Sequence, residues 1–406
     1  MSVSFRPYTR KPFDAEKCTR CGLCLFRCPV IELPRETARE AIASLAKHQS
    51  DPESLPEPSR DILRKCTACF ACNLICPEDC RPANLFLDLW HTQYTRQGLP
   101  ESARYFLPYS RPNYRTYVLE RLSKEERDAV DSWAARDPAE TIFYPGCNLL
   151  MTPSLMFSRL FGGLPVRGSL DYCCGEAYFR MGLYEHVEQA ARRCTRYFRE
   201  LGVKTVYLAC TGDLNMFTHV LPQFGADFSG IRFLPFLERV HNALESGTLP
   251  VVKRFDGQTI TIQDSCHAKL YHPDYFQWPR KILAFLGFEC REAPKHADNA
   301  LCCGIGSGIS HDAGYGKQAL FGGQRACVKN LRAAKTDQIG VYCSGCLEML
   351  MLSESGHRTR HVLELVQEAI GEHPQSGHRK AAFNLALGVL RNQRGGSGRF
   401  FPPPIE

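Results

Sequence analysis

The chain has 406 residues, of which 44% are hydrophobic, with a formal net charge of +7 and 21 cysteines. This length and composition predict two or three domains with buried cores. No stretch approaches the roughly 18 apolar residues of a transmembrane helix. Because the N-terminus is basic and lacks the apolar segment of a signal peptide, we expect a cytoplasmic protein with reduced thiols, not a disulfide-rich secreted one.

Two copies of one cysteine spacing, C-x2-C-x2-C-x3-C-P, lie near the N-terminus. The first copy comprises Cys18, Cys21, Cys24 and Cys28, and the second comprises Cys66, Cys69, Cys72 and Cys76. This is the bacterial ferredoxin run for cubane [4Fe–4S] clusters, in which the fourth cysteine ligates the other cluster. We therefore expect cluster A on Cys18, Cys21, Cys24 and Cys76, and cluster B on Cys66, Cys69, Cys72 and Cys28. Zinc also binds C-x2-C pairs, but it explains neither the third cysteine nor the proline.

The expected clusters change the meaning of the net charge. A cubane held by four thiolates is anionic, so two of them bring the protein near neutrality. No run of Lys and Arg is interleaved with aromatic residues, and we therefore expect no binding of nucleic acid.

The first 140 residues are interpreted around these motifs. Residues 1–100 are predicted to form the two-cluster module, with helices at 36–48 and 83–95 and a linker rich in Pro, Ser and Asp at 51–61. Residues 101–140, rich in Tyr, Arg and Pro, are interpreted as a connecting arm.

From residue 141 the sequence contains an internal duplication. Copy one (141–250) has a strand at 141–144 before Cys147, then Cys173-Cys174-Gly175, a helix at 183–201, and a strand at 203–209 before Cys210. Copy two (251–370) has a strand at 259–263 before Cys266, then Cys302-Cys303-Gly304, a helix at 318–334, and a strand at 338–342 before Cys343 and Cys346. The alternation predicts two α/β units with mostly parallel sheets, whose cysteines gather at the carboxyl ends of the strands.

These motifs, in this order, resemble the cysteine-rich CCG-domain iron–sulfur family. Its members include the catalytic subunits of heterodisulfide reductases and the iron–sulfur subunits of glycolate, lactate and anaerobic glycerol-3-phosphate oxidoreductases. The resemblance implies a mixed α+β and α/β fold, in which a helical ferredoxin-like module precedes two duplicated CCG domains. The domain order looks most like the fused heterodisulfide-reductase-type subunit.

The resemblance also implies cofactors, because each complete five-cysteine motif in heterodisulfide reductase binds a non-cubane [4Fe–4S] cluster. Copy two is complete and implies one such catalytic cluster on Cys266, Cys302, Cys303, Cys343 and Cys346. Copy one has Cys147, Cys173, Cys174 and Cys210, with Asp213 where the fifth cysteine would stand. It could hold a cubane, a cluster with Asp213 as an oxygen ligand, or no cluster. Because of this departure, we expect the chain to relay electrons better than it cleaves free disulfides.

His267 directly follows Cys266, at a point where the related oxidoreductases often show a Cys-His pair. We consider it either a catalytic proton donor or hydrogen-bond partner, or a residue that starts a helix and bonds the backbone. The glycines of 304–308 follow a cysteine pair and do not open a βαβ unit, so we expect their N–H groups to approach a cluster and no flavin to bind this chain.

Four further cysteines, Cys80, Cys194, Cys290 and Cys327, lie outside the motifs and are interpreted as buried thiols that pack without binding iron. After residue 370 we expect a helix at 380–391 and a flexible Gly/Ser/Pro-rich tail over the last residues.

These features predict an iron–sulfur electron-transfer subunit of a multi-subunit, anaerobic oxidoreductase of heterodisulfide-reductase type. Two alternatives are the iron–sulfur subunit of a flavin-linked glycolate, lactate or glycerol-3-phosphate dehydrogenase, and a non-catalytic electron wire or adaptor. The expected partners are a flavoprotein and a membrane quinone or cytochrome subunit, through which the protein would reach the inner face of the membrane.

Overall fold

A computed structural model describes residues 5–309, 316–374, 377–392 and 398–405. No helix within these ranges is both long and apolar enough to cross a membrane. The helices of the N-terminal part are α1 (Leu23–Phe26), α2 (Arg35–Lys47), α3 (Glu57–Lys65), α4 (Ala71–Ile75), α5 (Pro82–Gln97), α6 (Tyr114–Leu119) and α7 (Lys124–Trp133). Those of copy one are α8 (Gly146–Leu149), α9 (Glu176–Arg180), α10 (Tyr184–Glu200), α11 (Thr211–Asn215) and α12 (Phe236–Glu245). Those that follow are α13 (Ala268–Tyr271), α14 (Gln277–Phe285), α15 (Lys317–Arg332), α16 (Ser344–Met351), α17 (Val362–Ala369) and α18 (His378–Asn392).

The strands form three sheets. They are β1 (Leu99–Pro100), β2 (Thr141–Tyr144), β3 (Thr205–Leu208), β4 (Arg232–Pro235), β5 (Thr259–Gln263), β6 (Glu289–Cys290), β7 (Gln338–Val341), β8 (Thr359–His361) and β9 (Arg399–Phe400). Copy one contains a parallel sheet of order β2-β3-β4, and copy two a parallel sheet of order β6-β5-β7-β8. The predicted mixed fold with two parallel sheets is confirmed.

The parallel sheets place the cysteines of both copies at their carboxyl edges. Strands β2 and β3 end just before Cys147 and Cys210, and β5 and β7 end just before Cys266 and Cys343. Side chains that follow neighbouring parallel strands meet at one edge of the sheet. Each copy therefore gathers its cysteines from positions far apart in the sequence.

The N-terminal module packs directly on copy one. Phe70, in the loop between Cys69 and Cys72, stacks on Phe179 of α9 with ring centroids 5.5 Å apart, and Tyr8 meets Phe179 edge-on at 4.8 Å. Buried side chains from Tyr8 to Phe400 belong to one continuous apolar core. The loop between Cys69 and Cys72 is thus held against copy one.

Three sequence expectations need correction. The predicted linker at 51–61 contains the start of α3, because Pro58 falls in the first helical turn, where proline is tolerated, and Ile62 and Leu63 are buried. The connecting arm contains α6 and α7, whose N-termini carry complete capping boxes at Asn113 and Ser123.

The third correction concerns the tail, whose described part is not free. Strand β9 pairs antiparallel with β1, and the N–H of Ile405 donates to Oε1 of Gln189 at 2.7 Å. The carbonyl of Pro403 lies 3.1 Å from Nε2 of His186. Pairing with an otherwise isolated edge strand satisfies backbone groups that composition alone would leave to solvent.

Candidate metal centres

The two ferredoxin-type loops share one backbone shape. Arg20 and Gly22 in the first copy, and Ala68 and Phe70 at the equivalent positions of the second, all have positive φ, between 46° and 73°. At Gly22 a Cβ atom would lie only 2.6 Å from the backbone N of Arg39, so this position requires glycine. The wrapped loop turns N–H groups toward the sulfurs, as Ala68 shows by donating to Sγ of Cys66 at 3.4 Å.

The fourth cysteine of each run lies with the other run. Burial, followed by the neighbouring thiols of Cys76, Cys18 and Cys21, raises the pKa of Cys24 far above its usual value. Burial and the neighbouring Cys69 raise the pKa of Cys28 to about 11. The structure therefore brings the cysteines together in the expected crossed groups. Set A is Cys18, Cys21, Cys24 and Cys76, and set B is Cys66, Cys69, Cys72 and Cys28.

In copy two, all five motif cysteines converge, and we call them set C: Cys266, Cys302, Cys303, Cys343 and Cys346. Their thiols hydrogen-bond in sequence, Cys266 with Cys302, Cys302 with Cys303, Cys303 with Cys346, and Cys346 with Cys343. The bonds from Cys302 and Cys346 lower the pKa of Cys303 to about 6. A thiolate is the form that binds iron, so this network prepares the set for metal.

Copy one repeats the same pattern of contacts with an aspartate at its end. Set D comprises Cys147, Cys173, Cys174, Cys210 and Asp213, and its side chains are neighbours from Cys147 through Cys173 and Cys174 to Asp213, which also neighbours Cys210. Asp213 thus meets Cys174 and Cys210 as Cys346 meets Cys303 and Cys343. Burial raises the pKa of Asp213 to about 6. Its carboxylate occupies the place of the fifth donor.

Sets C and D face each other across one cavity, which all nine of their cysteines and Asp213 line. The two sets touch where the thiols of Cys210 and Cys343 hydrogen-bond. Beside this contact, Oγ1 of Thr211 lies 2.5 Å from Oγ of Ser265. The carboxyl edges of the two sheets therefore form one shared site.

Set B adjoins this shared site. Cys69 and Ala71 pack with Cys266 in a small apolar cluster. Set B also adjoins set A. Burial and, after it, nearby thiols that include Cys24 of set A raise the pKa of Cys72 in set B. The four sets form a continuous series in the order A, B, C, D.

Arg180 connects three parts of the molecule at the B–C contact, and no sequence motif marked it. Its guanidinium is buried and donates to Sγ of Cys266 at 2.8 Å and to the carbonyl of Thr67 at 3.2 Å, next to Cys66. It also forms an ion pair with Glu176, four residues earlier on α9. Although burial opposes ionisation, Arg180 and His267 lower the pKa of Glu176 to about 2. A positive charge is therefore fixed against set C.

His267 belongs to the same network. Its Nε2 lies 2.8 Å from Oε1 of Glu176 and 3.2 Å from Nε of Arg180, and its Nδ1 lies 3.3 Å from Nδ2 of Asn215. The ring is buried at the wall of the shared cavity. Of the two roles considered from sequence, this position favours a side chain that acts in the site over one bonded only to backbone.

A second charged pair also lay outside the sequence motifs. Arg115 is buried beside Cys147, and Glu348 lies two residues after Cys346 on α16. Burial raises the pKa of Glu348 well above its usual value, and Arg115 offsets this only in part. The position of Glu348 within the apolar run Leu347–Leu350 was a signal that sequence reasoning could have used.

The glycine-rich segment agrees with its predicted role. The N–H of Gly306 donates to Sγ of Cys302 at 3.1 Å, and a Cβ atom there would collide with Arg180. Among the cysteines outside the motifs, Cys327 donates to Oε1 of Gln263 at 3.0 Å, and Cys194 lies 3.5 Å from the carbonyl of Tyr172. Cys80 is buried next to Cys76. Cys290, on the edge strand β6, is only half-buried, so the expectation of a buried thiol is wrong for this residue.

The donor chemistry of the four sets fits iron–sulfur clusters. Each set offers four or five mostly thiol donors, and backbone N–H groups donate to sulfurs in sets A, B and C. Within the described ranges, no three His, Cys, Asp or Glu side chains converge on a point that would hold a single metal ion. The ligands of a cluster are distributed over several irons and need not converge in this way.

Comparison with protein families gives the class of this protein. The 4Fe-4S dicluster domain family matches residues 14–80, and the cysteine-rich (CCG) domain family matches residues 156–218 and 260–351, so that Cys147 lies just outside the first CCG match. The chain is an iron–sulfur protein with a dicluster domain and a duplicated cysteine-rich CCG domain. The resemblance inferred from its motifs is confirmed.

Among characterised proteins, it is similar to a subunit of the dihydromethanophenazine:CoB–CoM heterodisulfide reductase. The version from Methanosarcina mazei is 24% identical over 398 residues, covering 88% of this chain and 94% of that subunit. The version from Methanosarcina acetivorans is 23% identical over 394 residues, with the same two coverages of 88% and 94%. A shorter similarity, 26% identity over 141 residues, relates 35% of this chain to 19% of the EtfAB:quinone oxidoreductase of Syntrophomonas wolfei.

Proposed function

We propose that this chain is the iron–sulfur electron-transfer subunit of an oxidoreductase complex of heterodisulfide-reductase type. The observation that carries the proposal is the series of contacting donor sets A, B, C and D. Bound clusters would supply single-electron transfer along this series. The similarity to the two Methanosarcina heterodisulfide reductase chains over most of the sequence supports the same conclusion.

Each set has a proposed occupant. Sets A and B suit cubane [4Fe–4S] clusters, because each offers four thiols in ferredoxin-type loops. Set C suits a non-cubane cluster, because it offers a fifth thiol and the adjacent pair Cys302-Cys303. For set D we propose a cluster with Asp213 as an oxygen ligand, since Asp213 makes the contacts that the fifth cysteine makes in set C. Flavin is assigned to a partner subunit.

The residues around set C prepare it for electron transfer. The positive charge of Arg180 would stabilise the reduced state of a cluster held by Cys266, because reduction would add negative charge next to the guanidinium. Glu176 and His267 fix the guanidinium in place through the ion pair and the ring contact. Arg180 is therefore proposed as a positioning residue that sets the potential of this centre.

A second candidate function is disulfide reduction at the shared cavity. Two donor sets that face each other across one cavity are the arrangement that cleavage of a disulfide between two centres would need. The expectation of weak cleavage assumed that Asp213 removes a cluster from copy one. If set D holds iron, that assumption fails, and cleavage by the complete chain becomes the favoured outcome.

The proposed partners follow from the relatives. The similar heterodisulfide reductase chains are subunits of a larger enzyme, and we propose that this chain likewise assembles with a redox partner, at a membrane or with a flavoprotein. The partial similarity to EtfAB:quinone oxidoreductase keeps the flavin-linked dehydrogenase version as the alternative. Co-purification with a flavin-containing protein would favour it.

Iron content and spectroscopy of the anaerobically purified full chain test the proposal. Four clusters predict about sixteen irons per chain, with an EPR signal from set D. Asp213→Ala leaves four thiols, which could still hold a cubane, so it should change that signal with or without loss of iron, while Asp213→Cys should keep the iron and bring the signal closer to that of set C.

The exposed Asp227→Ala in the same copy is the matched control and should match the wild type. Reduced methyl viologen should pass electrons through the wild-type chain to a tetrazolium dye. Zinc in place of iron, or no electron transfer by a fully loaded protein, would refute the proposed function.

A further inference from the structure

A second cavity adjoins the cysteine site and has a different character. It is open to solvent at one end and is lined largely by apolar side chains, including Phe106, Leu320, Phe321, Leu352, Leu385 and Val389. It shares Arg115, Asn148 and Glu176 with the lining of the cavity of sets C and D, so these side chains lie between the two cavities. Apolar cavities with a few polar groups are typical of small-molecule sites.

The inner end of this cavity carries buried polar atoms without partners. Glu348 is 2% exposed, and neither of its carboxyl oxygens has a hydrogen-bond partner among the described residues. Arg115 is 6% exposed, and its Nε has no hydrogen-bond partner among the described residues either. Its Nη1 donates to the carbonyl of Phe106 at 3.1 Å. Buried polar groups are normally hydrogen-bonded, so these atoms fit a ligand whose polar end enters first.

The outer end of the cavity is apolar and open. Ala386 and Leu390 of α18 line it, and Leu390 is 46% exposed. Phe383 precedes Ala386 by three residues and Leu390 by seven, which places it on the same face of the helix, and it is 61% exposed. A hydrocarbon tail leaving the cavity would therefore stay in contact with apolar surface.

We propose that this cavity binds an electron carrier of the quinone class, with the ring at Arg115 and Glu348 and the tail toward Leu390. A ring carbonyl would accept a hydrogen bond from Nε of Arg115, and Glu348 would bond the ring oxygen after reduction. This inference rests on the proposed electron-transfer function, which supplies the electrons. Reduction to the quinol takes two electrons, delivered singly through the donor sets, and two protons from water.

The lining of the cavity favours a quinone over a disulfide. Among the described residues that line the apolar cavity, none is a cysteine, whereas Arg115 at its inner end is a neighbour of Cys147 in set D. Cleaving a disulfide needs direct contact between its sulfurs and the metal centre. Electron transfer to a ring needs only proximity, which this position provides.

The test is binding of a quinone analogue to the iron-loaded full chain. Heptyl-hydroxyquinoline N-oxide loses its fluorescence when it binds, so titration measures affinity without turnover. Ala386→Trp should fill the cavity and weaken binding at least about tenfold, the equivalent of roughly 1.4 kcal/mol. Lys380→Trp, on an exposed position of the same helix, is the matched control and should bind as the wild type. Glu348→Leu should weaken binding about tenfold through the lost hydrogen bond.

Three results would overturn the proposal: no binding by the wild type, equal binding by Ala386→Trp, or displacement of the analogue by dioctyl disulfide but not by decylubiquinone. Iron content and viologen-to-dye transfer, measured on the same samples, separate this inference from the proposed function. Intact analogue binding with no dye transfer would refute the electron-transfer function and leave the cavity assignment standing.

Discussion

Replacing Arg180 by methionine tests whether a fixed positive charge tunes the centre held by Cys266. The guanidinium lies 2.8 Å from Sγ of Cys266 and is 4% exposed, so solvent screens it weakly. At about 4 Å and an effective dielectric constant of about 20, two unit charges interact by about 4 kcal/mol. For a one-electron couple this corresponds to about 170 mV.

The expected direction is a lower reduction potential, because an added electron loses its nearest positive charge. Relaxation of the site reduces the effect, and we expect a decrease of about 100 mV in the set C centre. Arg180→Lys keeps the charge and should stay close to the wild type. Glu176→Gln removes the opposing negative charge and should raise the potential.

The assay is an EPR-monitored redox titration of the full chain at equal iron content. Arg180→Met also removes one partner of the half-buried Glu176, which then keeps only His267, so folding is checked separately. A fully loaded Arg180→Met variant whose potential stays within about 20 mV of the wild type would show that Arg180 is only structural.

Two further predictions concern ligand exchange and pH. Cys28→Ser should damage the cluster of set B and spare that of set A, since Cys28 lies with Cys69; loss of the set A signal instead would contradict the crossed assignment. Burial lowers the pKa of His361 from 6.5 to about 4, so the unfolded chain takes up a proton before the fold does. The free energy of unfolding should therefore fall by up to about 3 kcal/mol as the pH drops from about 6.5 to 4, and be flat above. His361→Asn keeps an N-cap for α17, whose Leu363 N–H now donates to Nδ1. Denaturant titrations should show that it weakens this dependence, to which His186 and His219 still contribute because burial also lowers the pKa of each; an unchanged pH profile would contradict the assignment.

Local patterns were sufficient for much of the fold. Strands β2 and β5 begin and end where predicted, because each is a short run rich in β-branched or aromatic residues at a change in composition. The cysteine groups were also predictable, since their spacing is itself the motif. The missed helix α3 shows the opposite case, in which prolines near a helix start resemble a linker.

Contacts between residues far apart in the sequence could not be predicted. Arg180 reaches Cys266 across 86 positions and Thr67 across 113, and no local periodicity relates such pairs. The contact of Cys210 with Cys343 likewise depends on how two domains pack, although each cysteine was predicted separately. Tertiary packing decides these contacts, and a single arginine such as Arg180 forms no sequence pattern that would predict them.

Both the dicluster module and the CCG half build their sites from residues of two sequence repeats. In the dicluster module each run supplies one cysteine to the other set, and in the CCG half the two copies share one cavity. Each centre therefore depends on residues from another part of the chain. A fragment of residues 258–370 would keep the five thiols of set C but lose Arg180, Cys210 and Asn215, which contact Cys266, Cys343 and His267. Such a fragment could still bind iron through its thiols, but with the charge and hydrogen bonds around the centre removed, its potential should lie below that of the complete protein.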